Sequence, residues 1–148
     1  MSFQIERLGT KRLEDAASVL VSAYAQPPWN ENWSLEAAIE NVTYVLETPK
    51  SIAIAAVGGG KVLGIALGIR QRRHAGAVIY LDELSVLPER QSAGIGTALL
   101  SAMGEMAKAE GCDSVWLVSQ REGALSNFYQ RGGFVAARNL GLYSRSTR

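Results

Sequence analysis

The spacing of apolar residues along the chain changes several times, and each change predicts an element. Phe3, Ile5 and Leu8 predict a short first strand. From about Lys11 to Tyr24, residues Leu13, Ala16, Ala17, Leu20 and Tyr24 recur at helical spacing, with Thr10 placed to cap the start. Gln26-Pro27-Pro28-Trp29 ends that helix, because proline lacks a backbone donor and disfavours helical geometry in the residue before it. A second helix starts at a Ser34 cap and carries Leu35, Ala38, Ile39, Val42 and Leu46 on one side, up to Pro49. The period then shortens. Ser51 to Val57 and Val62 to Ile69 are β-compatible runs around Gly58-Gly59-Gly60-Lys61, the pattern of an antiparallel hairpin.

Arg70 to Gly76 reads as a polar connection holding three arginines, and Ala77 to Leu87 as a fourth strand ended by Pro88. Gly94 to Glu110 places Ile95, Leu99, Met103, Met106 and Ala107 on one face of an amphipathic helix closed by Gly111. A short buried strand at Val115 to Val118, a helix from Gly123 to Arg131 and a last strand from Phe134 to Tyr143 complete the chain. With no repeats or linkers, the expected fold is α/β (α+β). It is a single domain over residues 1–148, with a central mixed, mostly antiparallel twisted sheet and helices on both faces.

Composition narrows the function classes. The 15 basic and 14 acidic side chains leave a net charge of +1, which gives no electrostatic case for nucleic acid or an anionic membrane. The single cysteine, Cys112, and the single histidine, His74, provide no metal-binding cluster, so no metal is expected. No apolar run approaches the roughly 20 residues that cross a bilayer, and the first residues lack the pattern of a signal peptide. A reducing cytoplasm is the expected location. His74 reads as a solvated loop residue, and Cys112 as a packing residue that no neighbour activates.

The chemistry concentrates where the fourth strand meets the following helix. The first amides of a helix have no internal partner, and the aligned peptide dipoles place partial positive charge there. Glycines in Gln91-Ser92-Ala93-Gly94-Ile95-Gly96 let the backbone approach a bulky anion, so a pyrophosphate can sit on the amides of roughly Ser92 to Thr97. A Walker loop is excluded, since Gly60-Lys61 is followed by Val62; a dinucleotide fingerprint would need a third glycine and an N-terminal βαβ unit. The stretch from Leu84 to Leu100 resembles the cofactor-binding segment of the Gcn5-related N-acetyltransferases (GNAT), whose core pattern is Gln/Arg-x-x-Gly-x-Gly/Ala. Phe128-Tyr129-Gln130-Arg131-Gly132-Gly133-Phe134 resembles a second element of that family, and the order of elements agrees over nearly the whole chain.

The resemblance implies a GNAT-like acyl-CoA N-acyltransferase fold with acetyl-coenzyme A (acetyl-CoA) as cosubstrate. The fourth and fifth strands would splay apart around the pantetheine arm. The backbone of Leu84, Ser85 and Val86 would line that arm, and Gln91, Ser92, Ala93, Gly94, Ile95, Gly96 and Thr97 would hold the pyrophosphate. A primary amine would attack the thioester directly, through an oxyanion that the Val86 amide or its neighbour stabilises. Tyr129 stands at the family position of the acid that protonates the leaving thiolate.

A free alkylamine has a pKa of about 10 and must lose a proton before attack, so a base is required. Asp82 and Glu83 are two acids in an otherwise apolar strand, and alternation turns only one toward the acceptor. Glu83 is the preferred base, though a bulge in the strand could reverse the choice, and pairing of both acids with an arginine such as Arg70, Arg72 or Arg73 is the bland alternative. Tyr24, Pro27, Pro28, Trp29 and Trp33 fall where the family builds its variable acceptor wall, and Tyr24, Trp29 and Trp33 are the candidate contacts for a cationic amine.

The chain also departs from the family. Glu122 stands where many members have an asparagine, leaving Asn127 as a substitute contact. Ser92 and Ala93 replace the usual glycine and basic residue, with Arg90 or the arginine-rich loop available to meet phosphate. The expected acceptor is a small-molecule amine, with a protein N-terminus or lysine, or a silent acyl-CoA-binding module, as alternatives. A homodimer through the last strand is a further expectation from the resemblance.

Overall fold

The computed structural model describes residues 2–148. Five strands form one sheet in the order β1-β2-β3-β4-β5: β1 (Gln4–Arg7), β2 (Ile52–Gly58), β3 (Lys61–Arg72), β4 (Ala77–Val86) and β5 (Cys112–Trp116). The first three pairings are antiparallel and the last is parallel. Helices α1 (Leu13–Tyr24) and α2 (Leu35–Glu47) cover one face, while α3 (Ile95–Ala109) and α4 (Ala124–Arg131) lie on the other side.

Burial on both faces explains why β2 lacks the alternation of a surface strand. Ala53, Ala55 and Val57 join the α1–α2 core, whereas Ile52, Ile54 and Ala56 join the α3 core, and all seven residues of β2 are buried. Ser34 caps α2 as its sequence position predicts, its hydroxyl accepting from the Ala37 amide at 3.0 Å.

Four expectations are corrected. Thr10 does not cap α1: Thr10–Arg12 form a short 3-10 turn, and the helix starts at Leu13 without a side-chain cap. Strand β3 runs on to Arg72, so Arg70 and Arg72 lie in the hairpin with β4 rather than in a loop. The fifth strand is Cys112–Trp116 and is largely exposed, because it forms the sheet edge. Residues 135–148 form no strand, and Val135, Leu142 and Tyr143 stand 92%, 80% and 93% exposed. A strand needs a paired ladder as well as a β-compatible sequence, and that segment is paired with no other strand.

Candidate active site

The parallel pairing of β4 with β5 covers only Ala77 to Tyr80. Beyond Tyr80, β4 continues to Val86 with β3 as its only ladder partner, so the two strands part and leave an edge of β4 open. A cavity of about 570 Å³ lies in this opening. Its wall includes Leu84, Ser85 and Val86 of β4 together with Leu117 to Gln120, which follow β5. Ser85 Oγ is buried there without a hydrogen-bond partner among the described residues.

The start of α3 closes one end of the cavity. Gly94 precedes the helix at φ 85°, in the left-handed region, and no side chain caps the first turn. The first helical hydrogen bond runs from the Ala98 amide to the Gly94 carbonyl, so the amides before it lack helical partners. Gln91, Ser92, Gly94, Gly96 and Thr97 line the cavity, as do the cationic side chains of Arg90 and Arg131. Gly96 is small for a second reason: a Cβ there would lie 3.3 Å from the Phe128 ring. Ile95 turns into the core at 2% exposure, and Ala93 and Asn127 are exposed outside the cavity lining. None of Arg70, Arg72 and Arg73 lines it either.

The acids sit at an irregularity that alternation alone does not place. Leu67 pairs with Glu83 and Gly68 with Leu81, which leaves Asp82 as an extra residue in β4. In a regular strand Leu81 and Glu83 would share a face. Here Leu81 packs in the α3 core, while the Glu83 carboxylate faces α1 and α2. The Tyr24 hydroxyl donates to Glu83 Oε2 at 2.5 Å, and the Asn41 amide donates to Oε1 at 3.3 Å. The bulge therefore turns Glu83 toward the first two helices and leaves Asp82 lining the cavity.

Burial dominates the electrostatics. Desolvation pushes the Glu83 carboxyl up to about 7 and outweighs the lowering by the Tyr24 and Asn41 hydrogen bonds; nearby Asp82 and Glu31 add to the rise. Desolvation also raises Asp82. The only ion pairs among the described residues join Arg7 to Glu110 and Arg12 to Glu6, so neither acid is neutralised by an arginine. Tyr129 lines the cavity between Phe128 and Phe134, with ring centroids 5.1 and 5.8 Å away. Desolvation, with a smaller contribution from Glu83, pushes its hydroxyl up to about 12. It remains a phenol with a proton to give.

Tyr24 leads an aromatic cluster, edge-on to Trp29 at 5.3 Å and stacked with Trp33 at 5.9 Å. Tyr24 and Trp29 line the cavity; Trp33 stands behind them, its indole nitrogen donating to Glu31 at 2.7 Å. Two contributors are missed by sequence reasoning. Asn41 stands three residues after Ala38 and four before Val45, a polar residue on an apolar helix face, and that is an available signal. Arg131 belongs to the Phe128–Phe134 element but reads there as an ordinary end-of-helix cation.

A five-stranded sheet whose parallel strands part beside an uncapped helix start leaves a cavity with a phenol and an acid on its wall, an arrangement suited to acyl transfer. The acetyltransferase (GNAT) family profile matches residues 19–134, and the chain belongs to that family. The fold is also that of solved structures of low identity. A possible acetyltransferase from Clostridium difficile 630 shares it with a TM-score of 0.84 and 13% identity, over 100% of this chain and 99% of the other. Aminoglycoside N-acetyltransferase AAC(6')-Iy in complex with CoA matches with a TM-score of 0.80 and 17% identity, over 97% of this chain and 95% of the other. An aminoglycoside acetyltransferase from an uncultured soil metagenomic sample, in complex with trehalose, matches with a TM-score of 0.78 and 16% identity, over 99% and 97%. Comparison with curated protein sequences gives no match.

Proposed function

We propose that residues 1–148 form one catalytic domain that transfers an acetyl group from acetyl-CoA to a primary amine of a small molecule, by direct attack. The observation that carries this reading is one cavity in which the uncapped start of α3, the open edge of β4, Asp82 and Tyr129 meet, with Glu83 buried behind its wall on the hydroxyl of Tyr24. The donor set suits an acyl-CoA: unpartnered amides and two arginines for the phosphates, and a strand edge with an unpaired serine hydroxyl for an amide-rich arm. The acetyl thioester supplies the electrophilic carbonyl. The chain's own part is to hold it against Leu84 to Val86, stabilise developing negative charge with a backbone amide near Val86, and manage two protons.

Glu83 is the base. Its raised carboxyl narrows the gap to an ammonium pKa of about 10, so it accepts a proton more readily than an ordinary carboxylate. Asp82, on the cavity wall, steers the cation. Tyr129 protonates the departing sulfur. Tyr24 and Trp29, with Trp33 behind them, form the acceptor wall, where aromatic faces and carboxylates together favour a cationic amine. The aminoglycoside acetyltransferases among the structural neighbours make a polycationic amino sugar the first acceptor class to test. The cytoplasm is the location that goes with this reading. Among the described residues, no helix is long and apolar enough to cross a membrane. A homodimer is part of the same reading, supported by the exposed Val135, Leu140, Leu142 and Tyr143 beyond the edge strand β5.

The test is calorimetric titration with acetyl-CoA, then release of free thiol across a panel of amines that includes neamine, spermidine, amino acids and a lysine peptide. Binding with release names the acceptor class. Tight binding with no release from any amine would favour the silent module. A folded sample that does not prefer coenzyme A over adenosine diphosphate would overturn the proposal.

A further inference from the structure

Glu83 is 9% exposed and does not line the cavity, whereas Tyr24 does. A base set back from the cavity wall is served by an intermediary, and Tyr24, which lines the cavity, has its hydroxyl 2.5 Å from Glu83 Oε2. A phenol has one proton and two acceptor lone pairs. The proton of Tyr24 is committed to Glu83, so its lone pairs are what it offers elsewhere, a complement to an ammonium N–H. We infer that Tyr24 is a proton relay, carrying the acceptor's proton from the cavity to the buried carboxylate of Glu83.

The inference rests on the reading of Glu83 as base. In the step, an N–H bond of the bound ammonium breaks and its proton passes to Tyr24 Oη. In concert, the Oη–H bond breaks and that proton passes to Glu83 Oε2. A neutral amine remains, Tyr24 ends as a phenol, and no electrons change hands. Glu83 later releases the proton to solvent.

The surroundings suit the step. Burial, and the nearby Glu83 and Glu31 carboxylates, raise the Tyr24 hydroxyl far above the ordinary range, so a free phenolate is not formed and the two transfers must be coupled. Trp29 and Trp33 pack the ring on two sides, and Asn41 holds the second carboxylate oxygen, which leaves Oε2 for Tyr24. Asp82 and Tyr80 of β4, Glu31 and Tyr129 are the other titratable groups whose charge couples to this pair. None is cationic.

Tyr24→Phe keeps the ring and its packing and removes only the hydroxyl. With neamine, or whichever panel amine is acetylated, the variant is expected to lose about 100-fold or more in kcat while KM and acetyl-CoA affinity change less than about threefold. Wild-type turnover in mixed H2O and D2O is expected to curve with deuterium fraction, as two protons in flight require. The Glu83 carboxyl, followed by 13C NMR, is expected to titrate higher in Tyr24→Phe, because a hydrogen bond to its charged form is lost. A raised KM with kcat retained would make Tyr24 a wall residue and overturn the relay. A linear deuterium dependence in the wild type would overturn it without any variant. Glu83→Gln distinguishes the levels: if its turnover is unchanged the base reading fails, and if only Tyr24→Phe is unimpaired the relay alone fails.

Discussion

At the scale of residues, the site is defined by carboxyls and phenols held in protonation states that their burial sets. Glu83 has a folded-state pKa of about 7, above the usual value for a glutamate. The folded state therefore binds this proton more tightly than the unfolded state does, and stability falls as pH rises from about 4.5 toward 7 before levelling off. The cost above pH 7 is on the order of 3 kcal/mol. Glu83→Gln is expected to melt above the wild type at pH 8, with the gain shrinking as pH is lowered toward 4.5; thermal scans across pH check this. On the proposed role of Glu83 as base, the acid limb of kcat/KM is expected near pH 7, because the base must be ionised; a pH–rate profile checks this. Tyr129→Phe is expected to lower turnover about 100-fold while leaving acetyl-CoA affinity within a few-fold. Single-turnover kinetics beside calorimetry would separate the two, and unchanged turnover would remove Tyr129 from the role of acid.

At the scale of elements, the start of α3 is both a structural feature and the proposed anion site. Gly94 stands at φ 85° with open space where a Cβ would lie, so substitution there meets backbone strain rather than a clash. Gly94→Val is expected to destabilise the chain by about 1–2 kcal/mol and to weaken coenzyme A binding, since the first amides of α3 would turn away. Calorimetry with desulfo-coenzyme A is the check; undiminished affinity would move the phosphates elsewhere. Ser92 holds φ 68° without being glycine, a local strain on the cavity wall of the kind that accompanies binding loops. At α2 the Ser34 cap is worth about 1 kcal/mol, and Ser34→Ala is expected to lower the melting temperature by a few degrees without changing cofactor affinity.

At the scale of the whole molecule, sheet order puts an exposed strand at one edge and an exposed apolar segment after it. Trp116 on β5 is 38% exposed, and Val118 just beyond it 50%. Residues 135–148 contribute little to the core, so removing them is expected to leave a folded, coenzyme A-binding protein. Light scattering is expected to give a dimer for the full chain and a monomer for the truncated one. Two monomers would end the dimer reading.

The periodicity of the chain was enough to determine four helices, a β2–β3 hairpin and a mixed sheet, because amphipathic spacing is a local consequence of which face is buried. The glycine-bearing helix start was legible for the same reason: the first amides of any helix are unpartnered, and Gly94 and Gly96 are what a close backbone approach requires. Two acids in an apolar strand were visible as well. Which of them faces which side was decided only by tertiary structure, since a bulge is a mismatch between two strands and neither sequence alone contains it. Asn41 and Tyr24 reach Glu83 from helices 42 and 59 residues away in sequence, a convergence that only packing produces. The C-terminal segment shows the converse. Its residues are β-compatible, but a strand exists only where two backbones pair, and residues 135–148 pair with none although β5 leaves the outer edge of the sheet free.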